Sequence, residues 1–351
     1  MNMKFNNKLI ALALGTMSLS FAACDNQDIE FPDHQDGIVV YFPYQTPIRT
    51  LVLGSEEVNT DLDKQHKCKI SATMGGSVNG ADIIVDIAVD ESLLKNVTDE
   101  SGNPLVAMPT NYYSLSSNTM SFNGGLTGSV EVQLTDAFFA DPKTAANSYV
   151  IPIVMTNQIG ADRVLSGEYE GETAPARLDG ESWKVKPMDY VLYCVKYKSQ
   201  YDAYYSRCGK YTVGDKTVQI PDESSAKFEG NFDPVVDGDD CNTQTISLNE
   251  VKYSVNKSVN GVDMACEVKL TFDASNNCTV TSLTEGITAT GTGKFTPNGA
   301  IKAWGDKDRD LIELDFTLSD GTNSMKCVES LVWKRSGVGS IEEFATKYVA
   351  Q

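Results

Sequence analysis

The chain has 351 residues and carries 48 acidic against 29 basic side chains, a formal net charge of −19 at pH 7. A surface this acidic repels phosphate backbones, which argues against nucleic-acid binding. It also argues against a polybasic contact with a membrane. The length is sufficient for two domains joined by a linker.

The first 23 residues have the composition of an export signal. Lys4 and Lys8 lie near the start, and residues 9–23 form an apolar run that is short for a membrane span. The run ends in two alanines directly before Cys24, an order that resembles the lipobox of bacterial lipoproteins. We therefore expect residues 1–23 to be removed and Cys24 to be lipidated. The alternative is an ordinary signal peptide followed by a chance cysteine.

Residues 24–36 form an acidic tether after the expected cleavage site. An acidic stretch behind a lipidated cysteine resembles the surface-export signal of Bacteroides-type lipoproteins, and a solvated spacer without a sorting role is the alternative. We expect the protein to be lipid-anchored in the outer membrane and exposed at the cell surface. Which face of that membrane it occupies stays open.

Alternating apolar residues predict short β-strands in the first half of the chain. In residues 83–90 Ile83, Val85, Ile87 and Val89 form one phase and Asp86 and Asp90 fall on the other, and residues 130–134 alternate between apolar and polar. Residues 149–155 form a β-rich run whose proline predicts an edge strand or a bulge. Turn signals such as Asn79-Gly80 separate these segments. This spacing indicates a sandwich of immunoglobulin-like architecture over residues 37–165.

The expected boundary between two domains lies after residue 165. Residues 166–188 lack periodicity and are rich in glycine, proline and charge, so residues 166–200 are assigned to a linker. Residues 201–351 return to β patterns with longer strands. Successive hairpins that each have one apolar face favour an up-and-down, lipocalin-like antiparallel β-barrel. The predicted fold is therefore all-β with two domains.

Two local features of the second half carry specific expectations. Residues 312–318 alternate strictly, and Asp320-Gly321 follows them, which predicts a hairpin with a type I′ turn. The segment Ser340 to Val349 predicts a short C-terminal helix, with Ser340 as its N-cap and two glutamates in its first turn.

Seven cysteines follow Cys24, so at least one of them cannot pair within the chain. No CxxC pair occurs, which argues against a zinc site or a thioredoxin-type centre. Cys266 and Cys327 fall on the apolar phase of strand-like segments and are interpreted as buried hydrophobic residues. Any disulfides are expected in the second half, with their pairing open.

Short motifs along the chain resemble a known two-domain arrangement. In the first half these are Val40-Tyr41-Phe42, Gly75-Gly76, residues 86–90, Met108-Pro109-x-x-Tyr112-Tyr113 and residues 149–153. They resemble the N-terminal domain of unknown function that opens many Bacteroides-type surface lipoproteins. Those of the second half resemble a lipocalin-like barrel that often follows it: Gly209-Lys210-Tyr211, Trp304-Gly305-Asp306, residues 311–316 and residues 331–335.

The resemblance implies membership of a polysaccharide-utilisation system, in which such lipoproteins sit beside outer-membrane glycan importers and hold glycans at the cell surface. It carries no catalytic residue to this chain. The expected partners are therefore a glycan or oligosaccharide, an outer-membrane importer complex, and the membrane through the lipid alone.

The residues themselves offer little catalytic equipment. His34 and His66 are the two histidines, and neither GxSxG, HExxH nor a nucleotide-binding motif occurs. The acidic clusters at residues 237–240 and 306–310 lack the glycine and spacing of an EF-hand and are interpreted as solvated loops. We expect no cofactor, no metal and no enzymatic activity. A glycosidase, which needs only two carboxylates, ranks below a binding protein.

Sugar binding requires an aromatic face flanked by hydrogen-bonding side chains. The candidate glycan contacts are Trp304, Trp183, Tyr204 and Tyr205. For Trp304 a structural role at the barrel end competes with this one, and Trp333 is interpreted as core because it shares its phase with Leu331.

Three functional hypotheses follow from these patterns. The first is a non-catalytic surface lipoprotein that binds glycans. The second is a lipocalin-like carrier of a small apolar ligand, which requires an open cavity inside the barrel. The third is a structural or adhesive partner of an outer-membrane complex.

Overall fold

The computed structural model describes residues 33–54, 61–220, 238–303, 306–336 and 342–350. The expected signal segment 1–23, Cys24 and most of the tether lie outside these residues. The described chain is nearly all β, and it contains one short α-helix. Within it no helix is both long and apolar enough to cross a membrane.

The first domain contains eleven strands before the barrel begins. They are β1 (Val39–Tyr41), β2 (Pro47–Val52), β3 (Lys67–Gly75), β4 (Ile84–Val89), β5 (Val97–Asp99), β6 (Tyr113–Leu115), β7 (Thr119–Ser121), β8 (Thr127–Leu134), β9 (Val150–Ile159), β10 (Arg163–Val164) and β11 (Tyr190–Lys198). The helix α1 is Asp136–Ala140, and 3₁₀ turns occupy Asp63–Gln65, Glu91–Leu94 and Pro142–Ala145.

All of these strands except β5 form one curled sheet, with the main core on one face and a smaller apolar cluster on the other. The order β10-β1-β3-β8-β7-β4-β9-β11-β2 places strands from distant parts of the chain side by side. In β3 the apolar side chains alternate inward, as in Cys68, Ile70 and Ala72, and β8 and β9 contribute in the same way. The β11–β2 and β1–β10 pairs are parallel, and the other pairs of the order are antiparallel. Within this order β9 is a central strand, so the expectation that Pro152 marks an edge was wrong.

The expected linker of residues 166–200 contains a core strand. β11 pairs with β9 on one side and with β2 on the other. Its first six residues are all buried, because Val191 and Tyr193 face the main core whereas Tyr190 and Leu192 face a smaller cluster on the other side of the sheet. A strand buried on both faces has a continuous apolar run rather than an alternation, which is why no period was visible. The linker is therefore confined to residues before Tyr190.

The second domain is a closed eight-stranded antiparallel barrel, as predicted. Its strands are β12 (Tyr204–Val213), β14 (Asp239–Ser247), β15 (Glu250–Val259), β16 (Val262–Phe272), β17 (Asn277–Ser282), β18 (Thr288–Ala300), β19 (Arg309–Ser319) and β20 (Ser324–Arg335), with β13 (Lys216–Ile220) as an extra strand on β12. Pairing of β12 with β20 closes the barrel.

Side chains fill the barrel interior. Five inward aromatic residues expose 1% or less of their surface: Tyr205, Tyr211, Tyr253, Phe272 and Phe316. No water-sized space therefore lies against these rings. The open apolar cavity required by the small-ligand carrier hypothesis is not present among the described interior residues, so that alternative was wrong.

The predicted hairpin between β19 and β20 is present, but its turn differs from the expected one. Ser319 pairs with Ser324, so the loop has four residues rather than two. Gly321 has a φ of 88°, whereas Asp320 keeps a negative φ and its carboxylate accepts hydrogen bonds from the backbone N–H of Thr322 and of Asn323. Asp320 therefore folds the turn through its side chain, and a type I′ turn is excluded.

The predicted C-terminal helix was wrong. The described residues 342–350 form two short strands, β21 (Glu342–Glu343) and β22 (Thr346–Tyr348). β21 pairs with β2 and β22 pairs with β5, so the chain returns from the barrel to the first domain. Hydrogen bonding to two open strand edges overrides the weak local preference for a helix. The predicted N-cap Ser340 lies outside the described residues.

None of the seven cysteines after Cys24 is in a disulfide, so the structure offers no pairing for the conditional expectation of disulfides in the second half. Cys266 and Cys327 are buried, as predicted from their phase. Burial raises the pKa of the Cys327 thiol, and likewise that of Cys68, to about 12.

Candidate functional site

A small pocket lies where the first domain meets one end of the barrel. It has a volume of about 190 Å³. Its walls come from the end of β2 and the turn after it, from the β11–β12 junction, and from the β18–β19 connection. The lining residues are Gly54, Lys64, Gln200, Phe295, Pro297, Asn298, Asp308, Arg309, Asp310 and Trp333. Domain junctions are common positions for ligand sites.

A bulge in β18 shapes the barrel side of this pocket. The β18–β19 ladder pairs Thr296 with Leu311 and resumes only at Ala300 with Arg309. The three skipped residues include Pro297, which has no N–H to contribute to a ladder, and Asn298, whose φ is 51°. A bulge redirects the strand and its side chains, so both of these residues line the pocket.

Two aromatic side chains form the inner wall. Phe295 and Trp333 expose 3% and 8% of their surface and belong to the barrel core. The guanidinium carbon of Arg309 lies 5.2 Å from the centre of the Trp333 ring, which is cation–π geometry. The phase argument that placed Trp333 in the core was correct. The same side chain also lines the pocket, which the phase of the strand does not indicate.

Two carboxylates hold the loop that forms the outer wall. Asp310 accepts a hydrogen bond of 2.9 Å from the backbone N–H of Asn298, and Asp308 accepts one of 2.8 Å from that of Lys302. The acidic cluster at residues 306–310 was expected to be a solvated loop. The structure gives two of its members a definite role, because they fix the backbone around the pocket.

The first-domain wall depends on a buried carboxylate next to Lys64. Asp63 exposes 1% of its surface, accepts a hydrogen bond of 2.8 Å from the Val52 N–H, and forms an ion pair with Arg49. Burial raises the pKa of Asp63, although the Val52 hydrogen bond and the Arg49 charge oppose this shift. These contacts hold the 3₁₀ turn in place and leave the exposed Lys64 side chain at the pocket.

The segment after β2 and the β11–β12 junction approach closely at the same point. A Cβ atom on Gly54 would lie 2.6 Å from Cβ and 2.7 Å from Cα of Gln200. Only glycine allows this backbone contact. Leu53 donates its N–H to the carbonyl of Lys198 at 3.1 Å, which continues the β2–β11 ladder to the pocket edge.

The pocket therefore combines two aromatic rings with amide, carboxylate, guanidinium and ammonium groups. Aromatic faces pack against the C–H groups of a sugar ring, and planar polar side chains donate to and accept from its hydroxyls. The volume is below the roughly 300–1,000 Å³ typical of drug-sized ligands. It suits one ring of a larger chain.

The structure does not bring the predicted glycan contacts together. Tyr205 is fully buried and donates its hydroxyl to the Tyr201 carbonyl at 2.9 Å, so its assignment as a glycan contact was wrong. Tyr204 is 37% exposed, and the guanidinium carbon of Arg335 lies 3.9 Å from the centre of its ring. Trp304 lies outside the described residues, and its described neighbours Ala303 and Asp306 flank the pocket loop.

Trp183 remains a separate candidate on the linker. Its indole N–H donates to the Ala176 carbonyl at 2.9 Å, and its ring meets Tyr169 edge to face at 5.4 Å. Neither Trp183 nor Tyr204 lines the pocket, and both stay predictions.

Sequence reasoning missed Arg309, Phe295, Gln200 and Lys64 as site residues. The available signal was the Pro-Asn-Gly insertion at residues 297–299 within an otherwise β-rich segment, which is typical of a bulge. The first-domain contributors had no signal, because their proximity depends on how the domains pack.

Two larger grooves border the C-terminal strands. One, of about 740 Å³, contains Arg177, Tyr190 and Tyr348, and the other, of about 750 Å³, contains Tyr149 and Phe344. Arg177 is engaged by a bidentate pair of 2.9 Å hydrogen bonds to Asp189. Each of these grooves also has two aromatic residues in its lining.

Metal ligation has no basis in the described part of the chain. No group of three or more His, Cys, Asp or Glu side chains is placed there to hold an ion. In the other acidic cluster, Asp239 forms ion pairs with Arg207 and Lys257, and Asp240 forms one with Lys334.

Comparison with solved structures shows that the chain is similar to a Bacteroides protein over most of its length. A crystal structure of a Bacteroides ovatus protein of unknown function, at 2.40 Å resolution, is 33% identical to this chain with a TM-score of 0.79. The match covers 90% of this chain and all of that one. No curated protein matches significantly.

Two further Bacteroides structures are much less similar. A candidate carbohydrate-binding protein from B. ovatus is 12% identical with a TM-score of 0.28, over 85% of this chain and 98% of that one. A two-domain protein of unknown function from B. fragilis is 13% identical with a TM-score of 0.31, over 95% and 94%. TM-scores this low support no conclusion about the present chain.

Family profiles match both parts of the sequence. A family described as an N-terminal domain matches residues 32–162. A domain of unknown function, DUF5627, matches residues 200–337, which is the barrel. With these matches and the full-length similarity, the chain belongs to the family of the B. ovatus protein, a two-domain β family whose barrel is the DUF5627 domain.

Proposed function

We propose that this protein is a non-catalytic, lipid-anchored surface protein that binds glycans for a polysaccharide-utilisation system. The observation that carries the proposal is the junction pocket, in which Trp333 and Phe295 form an aromatic wall beside Arg309 and the amide-bearing residues Gln200 and Asn298. This mixture of side chains matches the surface of a sugar ring, which is apolar on its faces and hydroxylated at its rim.

The size and position of the pocket support capture of a chain end or a side branch. At about 190 Å³ it accommodates one ring, and its place at the domain junction lets the remaining sugars extend along the surface. A glycan contact of this size gives modest affinity. Tethering of many copies at one membrane raises their effective concentration for a polymer that offers repeated sites.

The pocket carboxylates support binding rather than hydrolysis. Asp308 and Asp310 are both engaged by backbone N–H groups of the same loop. A glycosidase requires one carboxyl group that donates a proton and a second that attacks or activates water. Carboxylates used to hold a loop are poorly suited to either task.

Lipidation and surface location are part of the same proposal and rest on the lipobox-like sequence before Cys24. Mass spectrometry of the membrane fraction is expected to find Cys24 carrying a diacylglycerol, and Cys24→Ser is expected to release the protein from membranes. An importer complex is the expected partner, and co-purification of the anchored protein with such a complex tests this element.

The glycan element is tested by affinity electrophoresis against a panel of plant, microbial and host glycans. Retardation by at least one class, without release of reducing sugars, is the expected result. No retardation across the panel would remove the binding proposal. Release of sugars that Asp308→Asn abolishes would replace it with a glycosidase.

A further inference from the structure

Four aliphatic side chains are exposed at one end of the first domain. Val78, Ile84, Leu126 and Ile159 expose 59%, 43%, 47% and 63% of their surface. Single exposed hydrophobic residues are common, whereas a contiguous group of them indicates a contact with a membrane or another protein. We name this group the apolar tip.

Pairing and loop contacts make the apolar tip contiguous. Ile84 of β4 lies directly opposite Ile159 of β9, so their side chains share one face of the sheet. Ala81, between Val78 and Ile84, donates its N–H to the Gly125 carbonyl at 3.3 Å and accepts from the Gly124 N–H at 3.2 Å. The loop that contains Val78 therefore runs beside the turn that contains Leu126.

The described chain begins at the same end. His34 donates its backbone N–H to the carbonyl of Gly76, two residues before Val78. Ile38 donates its N–H to the Asp162 carboxylate, three residues after Ile159. The start of the described chain is thus held against the loops that present the apolar tip.

The length of chain before this point limits how far the tip can lie from the anchor. Eight residues lie between Cys24 and Asp33, the first described residue. Fully extended, the nine Cα-to-Cα steps from Cys24 to Asp33 span at most about 32 Å. A lipid on Cys24 therefore keeps this end of the first domain close to the bilayer, while the barrel end remains free.

We propose that the apolar tip rests in the interfacial region of the membrane that carries the lipid anchor. The proposal depends on the anchored part of the proposed function. Interfacial regions accept exposed aliphatic side chains by burying apolar area. The neighbouring Asp36, Asp82 and Asp162 disfavour attraction to anionic lipids, so a zwitterionic surface is the matching partner. This orientation directs the junction pocket and the barrel away from the bilayer.

The test uses the full lipidated protein in phosphatidylcholine vesicles that carry brominated acyl chains, which quench tryptophan at short range. The matched variants are Leu126→Trp at the tip and Leu283→Trp at the far end of the barrel. The two leucines are 47% and 48% exposed. The native tryptophans are the same in both variants and are subtracted with wild-type protein.

Quenching of the tryptophan at position 126 but not of that at position 283 is the expected result. Mass spectrometry first verifies that the protein is acylated. In acylated protein, equal quenching at the two positions, or no quenching at position 126, overturns the membrane contact and leaves the anchor intact. A second result also overturns the membrane contact: a blue shift of the emission of the tryptophan at position 126 that occurs without lipid and grows with protein concentration. That result assigns the apolar tip to self-association. Absence of acylation on Cys24 removes the anchor and this orientation together, whereas the glycan panel is unaffected.

Discussion

Tyr211 donates a hydrogen bond to Oε1 of Glu329 across the barrel interior, at 2.5 Å. Tyr253 donates to Oε2 of the same carboxylate at 2.9 Å, and Arg207 donates to the Tyr253 hydroxyl at 3.1 Å. Glu329 exposes 2% of its surface. A charged group so deep in a β-barrel is tolerated only because hydrogen-bond partners surround it.

Removal of this carboxylate is expected to destabilise the barrel strongly. Glu329→Ala leaves the hydroxyls of Tyr211 and Tyr253 without the carboxylate that both donate to. The expected loss of unfolding free energy is about 3–5 kcal/mol, the usual cost of breaking a buried charged network. Glu329→Gln keeps the shape and one acceptor oxygen, and its amide NH2 can donate to the other tyrosine hydroxyl, so its loss is expected to be much smaller. Urea denaturation at pH 7 measures both, and equal losses would contradict the assigned contacts.

The same residue predicts a pH dependence with a definite sign. Burial raises the pKa of Glu329 above its ordinary value of 4.5, although the Tyr211 bond, the Arg207 charge and the Tyr253 bond oppose the shift. The folded state therefore binds the proton more tightly than the unfolded state. The contribution of Glu329 protonation to the unfolding free energy is fully present below pH 4.5. It is lost as pH rises through the folded pKa of Glu329, by at most about 1.4 kcal/mol per pH unit.

The control for this pH effect is the Glu329→Gln variant, which cannot titrate at this position. We expect wild-type stability minus variant stability to fall as pH rises above 4.5 and then to level off. A difference that rises with pH would mean that the folded pKa is lowered rather than raised.

The absence of disulfides predicts insensitivity to reducing agents. Seven cysteines follow Cys24, and none of them is in a disulfide. Burial raises the pKa of Cys68, Cys194, Cys278 and Cys327 to about 12, so the reactive thiolate is scarce at neutral pH. Ellman titration of the acylated protein is expected to find seven thiols after denaturation and few before it. Fewer than seven in the denatured protein would reveal a disulfide.

The close approach of the segment after β2 to the β11–β12 junction predicts that Gly54→Ala perturbs the junction pocket. The added methyl group would meet Cβ of Gln200 at 2.6 Å, so one of the two backbone segments must move. Overpacking of this kind costs about 1–3 kcal/mol. We expect a lower melting temperature and weaker glycan binding. Gly75→Ala is the control, because its φ is not positive and the nearest atom to that Cβ position lies at 3.5 Å, an ordinary van der Waals contact. An unchanged pocket affinity in Gly54→Ala would show that the contact does not shape the site.

The barrel was predictable from sequence because its strands have one buried and one exposed face. In β19, Ile312, Leu314 and Phe316 are buried and Glu313 and Asp315 are exposed, so the period of two is visible. β11 was missed because both of its faces are buried, and β21 and β22 were missed because their partners lie about 250 to 300 residues earlier in the chain. Tertiary pairing of that kind leaves no local pattern.

The candidate site was predictable only in part. The phase of Trp333 correctly placed it in the core, whereas Trp304 lies outside the described residues and stays a prediction. The convergence of Arg309 from β19 with Lys64 and Gln200 arises from domain packing, which no periodicity encodes. Tyr205 was misassigned because Tyr204 and Tyr205 are adjacent, and in a strand adjacent side chains point to opposite faces.

The most direct test of the glycan-binding account is calorimetric titration of wild-type protein and pocket variants with a glycan that the panel identifies. Arg309→Met and Asn298→Ala each remove hydrogen-bonding groups from the pocket. Each is expected to weaken binding about tenfold, or about 1.4 kcal/mol. Tyr348→Ala, in the separate groove of about 740 Å³, is the matched control and is expected to bind as wild type does. Wild-type affinity in both pocket variants, or loss of binding in Tyr348→Ala alone, would contradict the assignment of the junction pocket as the glycan site.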